Sequence, residues 1–295
     1  MTRLQADLLL VFAALIWGTA FYFQKVAMAH IGPFLFLGLR ALIAATALIP
    51  FARAEARSVP AGLNTLAVKA GLVFLGAGLL QQTGMVTASV TNAGFLTSLY
   101  VILTPFMVWL LKRKAPGIWV WLGAGLAFLG LWALSGGSIS GLSQGDLHIV
   151  AAAFLWAMHL VLTGDSTPHG RPAGFTARQF AVVAAGALTL AFIFEPIRPA
   201  DILQALPSLL FVGLLSGALT FTILAKALAH TSESEAAILM SLDTLFAAGA
   251  GYIMLGDRLS PLGYAGAAMI LAAIAVVQVG RHFGGHKALA EDVAP

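Results

Sequence analysis

Residues 7–40, DLLLVFAALIWGTAFYFQKVAMAHIGPFLFLGLR, lie without a gap on residues 146–179, DLHIVAAAFLWAMHLVLTGDSTPHGRPAGFTARQ. Asp7 meets Asp146, Trp17 meets Trp156, Pro33 meets Pro172 and Phe36 meets Phe175, each pair 139 residues apart. Further along the offset drifts to 143, where Ser98-Leu99 falls on Ser241-Leu242 and Gly123 on Gly266. Single matches arise by chance in apolar sequence. A constant offset across two apolar runs and the proline turn between them marks an internal duplication.

The solvent of both halves follows from composition. Of 295 residues 60% are hydrophobic and 9% charged, against about 25% charged in soluble domains. A soluble fold has no means of hiding that much apolar surface, so the lipid bilayer is the expected environment and partner. The formal charge of +4 fits basic loops on one side of a membrane. No basic cluster interleaved with aromatics points to nucleic acid. The chain has no cysteine, which excludes disulfides, thiol catalysis and thiolate-held metals. The apolar run from Leu8 to about Met28 is too long for the core of a signal peptide and reads as an uncleaved first span.

A spanning helix needs about 20 mostly apolar residues. Ten such stretches are predicted, near 6–27, 34–52, 68–88, 91–111, 117–135, 146–164, 175–195, 207–228, 234–255 and 261–281. The expected fold is an all-α polytopic membrane protein. Placing the N-terminus in the cytoplasm puts Arg3, Arg53, Arg57, Lys69, Lys112, Arg113, Lys114, Arg171, Arg178, Lys226, Arg281 and Lys287 inside. Lys25, Arg198 and Arg258 then lie outside and Arg40 within a span. Twelve against three predicts both termini inside. Each half carries five spans, and an odd number makes the second half enter from the opposite side. The expected units are therefore two inverted five-helix repeats, 1–137 and 138–283, with a disordered cytoplasmic tail over 284–295. Inverted repeats recur in secondary transporters that bind substrate near the midplane, between the halves.

Polar residues inside the spans are the candidate cavity groups. Asp243 lies near the centre of the ninth span, where an unpaired carboxylate is costly. It reads as a proton site, an anchor for a substrate amine, or a carboxylate held by a neighbouring helix. Tyr100 is its mate in the repeat. Thr97, Tyr100 and Thr104 follow Gly94 at helical spacing along the fourth span, either lining a cavity or easing helix contact. Gln81 and Gln82 are about 100° apart on their helix, so at least one faces protein or water. Trp17 and Trp156 sit mid-span, away from the interface that tryptophan prefers. His159, one turn from Trp156, is a proton relay or a packing residue. Arg40, two turns into its span, suits a carboxylate or snorkels outward. Lys226 is an interfacial anchor or a contact for an anionic group. Gly123, Gly125, Gly130, Gly263 and Gly266 suggest close packing of the fifth and tenth spans, and Gly213 with Gly217 internal packing of the eighth. No motif for a metal, an organic cofactor or ATP is present, so no cofactor is expected. Asp243 and Asp257 stand about 21 Å apart at helical rise, too far for an aspartic dyad, which disfavours an intramembrane enzyme.

Several stretches resemble the EamA-type repeat of the drug/metabolite transporter superfamily. They are Trp17-Gly18 in the first span, Pro33 with Phe36 and Arg40 in the second, LTSLYVILTP (96–105) in the fourth, and LGDRLSPLGYAGAAMIL (255–271) near the end. The second half departs from this pattern at Ala157 and Gln179, opposite Gly18 and Arg40, and Gly256-Asp257 stands where the repeat commonly has Gly-Glu. The resemblance implies ten helices around a central cavity and export of small metabolites or drugs. Length and aromatic-rich central helices look most like bacterial amino-acid exporters, including those for aromatic amino acids. The expected function is thus alternating-access export of small organic solutes, amino acids foremost and aromatic ones among them, across a bacterial inner membrane by a monomer, with a proton-coupled multidrug exporter as the alternative.

Overall fold

The computed structural model describes residues 1–55, 58–88, 90–134, 136–137, 143–255 and 260–283. Asp257 and Arg258 lie outside these residues, as does the 284–295 tail. The described residues fold into helices and no strand: α1 Arg3–Met28, α2 Pro33–Glu55, α3 Leu63–Thr87, α4 Val90–Thr97, α5 Tyr100–Lys112, α6 Ile118–Leu134, α7 Gln144–Gly164, α8 Pro172–Phe194, α9 Pro199–Leu210, a π-helical stretch Phe211–Leu219, α10 Thr220–Ala227, α11 Glu233–Met240, α12 Leu242–Leu255 and α13 Pro261–Phe283.

Among the described residues, eight helices are long and apolar enough to cross a membrane: Arg3–Met28, Pro33–Glu55, Leu63–Thr87, Ala93–Lys112, Gln144–His169, Pro172–Phe194, Pro199–Ala227 and Pro261–Gly280. The expected span at 117–135 is the shorter apolar helix Ile118–Leu134. The one at 234–255 is broken at Ser241 into α11 and α12. The eighth span begins earlier than its apolar pattern indicates. Pro199 starts that helix, where its missing N–H is harmless, and the chain stays helical through Pro207 into the π-helical stretch.

Helix starts carry local signatures. Thr2 with Gln5, Ser143 with Asp146 and Ser232 with Glu235 form capping boxes that satisfy the free N–H groups of α1, α7 and α11. Asp146 therefore acts in a cap, whereas its counterpart Asp7 accepts from Gln278 Nε2 at 3.3 Å.

Five packing partnerships organise the bundle: α2 with α8, α6 with α13, α3 with α7, α3 with α8, and α1 with α12. The α6–α13 crossing is as close as the glycines suggest, since a Cβ on Gly130 would sit 2.8 Å from the Gly266 carbonyl oxygen. A Cβ on Gly125 would meet nothing within 4 Å among the described residues, so that glycine is not needed for the crossing. Gly213 packs inward on Ile43 and the Arg40 backbone, and Gly217 on Ala44.

The α2–α8 seam is tied at both ends. Glu55, the last residue of α2, accepts from Ala173 N at 2.7 Å and Gly174 N at 2.8 Å, at the start of α8. Glu195, just past α8, accepts from Phe34 N at 2.9 Å and Leu35 N at 2.8 Å, at the start of α2. Each antiparallel helix thus holds the other's N-terminus, where backbone donors and the helix dipole favour an anion. At the first of these ends Arg171 adds bonds to Ala52 O and Ser58 O, both 2.8 Å. At the end of the bundle that holds the N-terminus, Lys112 pairs with Glu233 at 2.6 Å and Asp165 at 2.9 Å, and Arg3 pairs with Glu235.

Candidate functional site: a polar cavity between the helices

A cavity of about 90 Å³ opens among α1, α2, α3, the α4–α5 break, α7, α10 and the α11–α12 break. Eight of the sequence-predicted residues line it: Trp17, Arg40, Gln81, Thr97, Tyr100, Trp156, His159 and Asp243.

Both tryptophans solve the same problem, since a buried indole N–H needs an acceptor. Trp17 Nε1 donates to the carbonyl oxygen of Ser216 at 3.0 Å, within the π-helical stretch. Trp156 Nε1 donates to Gln81 Oε1 at 2.7 Å. Between them stands Phe221, its ring 5.2 Å from Trp17, 6.3 Å from Trp156, 4.9 Å from Phe74 and 5.8 Å from His159. The result is an aromatic wall with polar edges. Gly18 has a separate use: a Cβ there would collide with the Asp243 carbonyl oxygen and stand 2.8 Å from both Ala247 N and Phe246 Cβ. The absent side chain lets α12 rest against α1, which brings Asp243 beside Trp17.

Asp243 is 5% exposed and sits in the first turn of α12. Its Oδ1 accepts from Ser98 Oγ and Thr244 Oγ1, both at 3.2 Å, and these two hydroxyls lie 2.6 Å apart. Ser98 lies in the break between α4 and α5, and Ser241 in the break between α11 and α12. Two interrupted helices therefore meet at one carboxylate.

Other wall groups lack partners. Among the described residues, Arg40 Nε, Thr97 Oγ1 and Tyr100 OH are buried and form no hydrogen bond. Arg40 is 8% exposed, and its guanidinium carbon lies 5.6 Å from the Phe36 ring centroid. It does not snorkel out. His159 Nε2 bonds Gln179 Oε1 at 2.8 Å, so the residue at the repeat position of Arg40 is engaged with a neighbour.

Three predicted residues stand outside the wall. Gln82 is fully buried and donates to Gln24 Oε1 at 2.6 Å. Thr104 returns its hydroxyl to Tyr100 O at 2.7 Å, the local bond that threonine makes along a helix. Lys226 is exposed and borders a different, mainly apolar groove with Leu48, Phe51 and Leu219. The wall also holds Phe21, Gln24, Ser216 and Phe221, which sequence reasoning missed. Phe21 and Gln24 follow Trp17 at four and seven residues, a helical stripe that marks both.

The EamA-like transporter family matches the chain twice, over residues 4–136 and 143–279. An uncharacterized transporter of Archaeoglobus fulgidus is 31% identical over 290 residues, covering 94% of this chain and 87% of the relative. The uncharacterized transporter YoaV of Bacillus subtilis is 26% identical over 277 residues, covering 90% and 94%. The threonine/homoserine exporter RhtA of Escherichia coli K12 is 32% identical over 180 residues, 57% of each chain. A solved crystal structure, 17% identical, shares the fold with a TM-score of 0.79 over 96% of this chain and 100% of its own.

Proposed function

The chain belongs to the EamA-like transporter family, and from that membership we propose that it is a secondary transporter exporting small organic metabolites, amino acids foremost, across the bacterial inner membrane. Transport proceeds by alternating access through the cavity between two inverted five-span repeats, with ten crossings and both termini inside. The basic-residue asymmetry supports this topology. So does the packing: exchanging the halves carries the α2–α8 and α6–α13 contacts onto themselves and α3–α7 onto α1 with α9, the π-helical stretch and α10.

The observation that carries the reading is the composition of the cavity wall. A carboxylate at the meeting of two broken helices, unpartnered hydroxyls of Thr97 and Tyr100, and an aromatic wall built on Trp17, Phe221 and Trp156 share one small space. Buried polar groups without partners are rare in folded proteins, and a polar solute that completes them gains affinity. Broken helices that offer their ends to a ligand are a recurring transporter device. The similarity to a threonine/homoserine exporter supports amino acids as cargo.

The test is flux in proteoliposomes loaded with a panel of amino acids and cationic drugs, with and without a pH gradient. Efflux of one or more amino acids is expected. Movement of drugs alone favours the multidrug alternative, and movement of no small solute overturns the transporter reading.

A further inference from the structure

Arg40 and Asp243 share the cavity without pairing: no ion pair joins them, and among the described residues no carboxylate partners the guanidinium. A buried guanidinium without an anion is a costly arrangement, since removing one member of a buried pair leaves an uncompensated charge. Its position is built. The side chain leaves α2 at the eighth residue, about 11 Å into the helix at 1.5 Å per residue, and lies on the Phe36 ring. The α2 backbone is pinned there, because a Cβ on Gly213 would sit 3.0 Å from Arg40 O. At the matching place in the second half stands Gln179, already bonded to His159.

We propose that Arg40 and Asp243 are the two poles of a site for a zwitterion, the guanidinium taking the α-carboxylate and Asp243 the α-ammonium. This deepens the transport reading above and rests on it. A planar guanidinium fits a carboxylate with two parallel hydrogen bonds, and its Nε donor is open. Asp243 Oδ1 is engaged by two hydroxyls, which leaves Oδ2 for an ammonium donor. The ammonium and carboxylate of an amino acid hang on one carbon, and both poles line the one cavity. The hydroxyls of Thr97 and Tyr100 serve the remaining hydrogen bonds, and the Trp17–Phe221–Trp156 wall receives the side chain. The pairing selects amino acids over amines, which leave the guanidinium unmatched, and over simple acids, which leave Asp243 unmatched. Such unmatched buried groups discriminate strongly between analogues.

Binding to the full-length purified protein is measured by tryptophan fluorescence and thermal shift. The probes are the proteinogenic amino acids, then the decarboxylated amine and the deaminated acid of each one that binds. Wild-type protein is expected to bind the amino acid at least about tenfold more tightly than either analogue, the loss that follows removal of a hydrogen bond to a charged group. Arg40→Gln should bring amino-acid affinity down to that of the amine, and Asp243→Asn to that of the deaminated acid. Arg40→Lys should recover part of the loss. Equal wild-type affinity for amine and amino acid, or binding by no amino acid, overturns the proposal and needs no variant to fold. Discrimination retained in Arg40→Gln also overturns it. Flux of a solute that is not a zwitterion sinks the two-pole site and leaves the exporter reading standing. Selective binding with no flux sinks the exporter reading and leaves the site.

Discussion

The helices α1 and α7 carry the same tryptophan into the same cavity and treat it differently. In α1, Trp17 bonds a main-chain oxygen, and the next residue, Gly18, is stripped bare so that α12 can lie against it. In α7, Trp156 bonds the side chain of Gln81, and the next residue, Ala157, is an ordinary buried packing residue. The difference extends outward: Arg40 against Gln179, and Asp243 against Tyr100. What the halves share is scaffold, namely proline turns, broken helices and end caps. What they do not share is charge. Arg40, the cation of the cavity wall, lies in the first half and Asp243, the anion, in the second.

The sharpest way to break this comparison is to exchange the chemistry at one mate and leave the other. Asp243→Asn is expected to lower flux about 100-fold while the protein still elutes as a folded monodisperse species, because in the proposed site this carboxylate meets the ammonium. Tyr100→Phe removes a hydroxyl that has no protein partner, so stability should hold or rise slightly and flux should fall less than tenfold. Comparable flux losses in the two variants would erase the functional distinction between the halves.

A smaller effect is expected from the small-residue pair. Gly18→Ala forces a methyl into the α12 backbone, which has no side chain to move aside. Overpacking of this kind costs about 1–3 kcal/mol, seen as a lower Tm together with weaker substrate binding. Ala157→Gly should cost about 1 kcal/mol through helix propensity and spare binding. If Gly18→Ala binds substrate normally, the close contact is scaffold alone.

The smallest contrast is between the tryptophans themselves. Trp156→Phe strands Gln81 Oε1 inside the protein, at about 1–3 kcal/mol. Trp17→Phe leaves Ser216 O still accepting from Thr220 Oγ1 at 2.5 Å, so its Tm should drop less. Thermal unfolding in detergent ranks the two, and the reverse order would mean that the indole ring contacts outweigh the hydrogen bonds.

Much of this was legible in the sequence, and the exceptions have physical reasons. Apolar runs mark helices in lipid because every backbone group must be satisfied within the segment, and the repeat offset marked the paired tryptophans. The interruptions at Ser98 and Ser241 left no such mark, since neither glycine nor proline stands at them and an apolar helix reads the same whether or not its ladder is broken. Gln81 and Gln82 were indistinguishable because their spacing says only that they face apart, and packing decides which one sees the cavity. The glutamate ties were invisible for another reason. Glu55 meets its partner Ala173 across 118 residues of chain, and a cap of that kind has no local motif. The eighth span, expected from about residue 207, starts at Pro199 because its first turns are less apolar, and its helix runs on through Pro207.

Those two glutamates have a mechanical consequence. Sliding α8 along α2 would lengthen the bonds at both ends of the seam together, and splaying the helices would open one end outright. The motion that leaves both ties intact is rotation about the long axis that the helices share. The alternating access proposed above needs a shaft, and α2 with α8, about 35 Å long at helical rise, would serve as one. Because each helix lends its terminal carboxylate to the other, one acid per half closes both ends of the shaft.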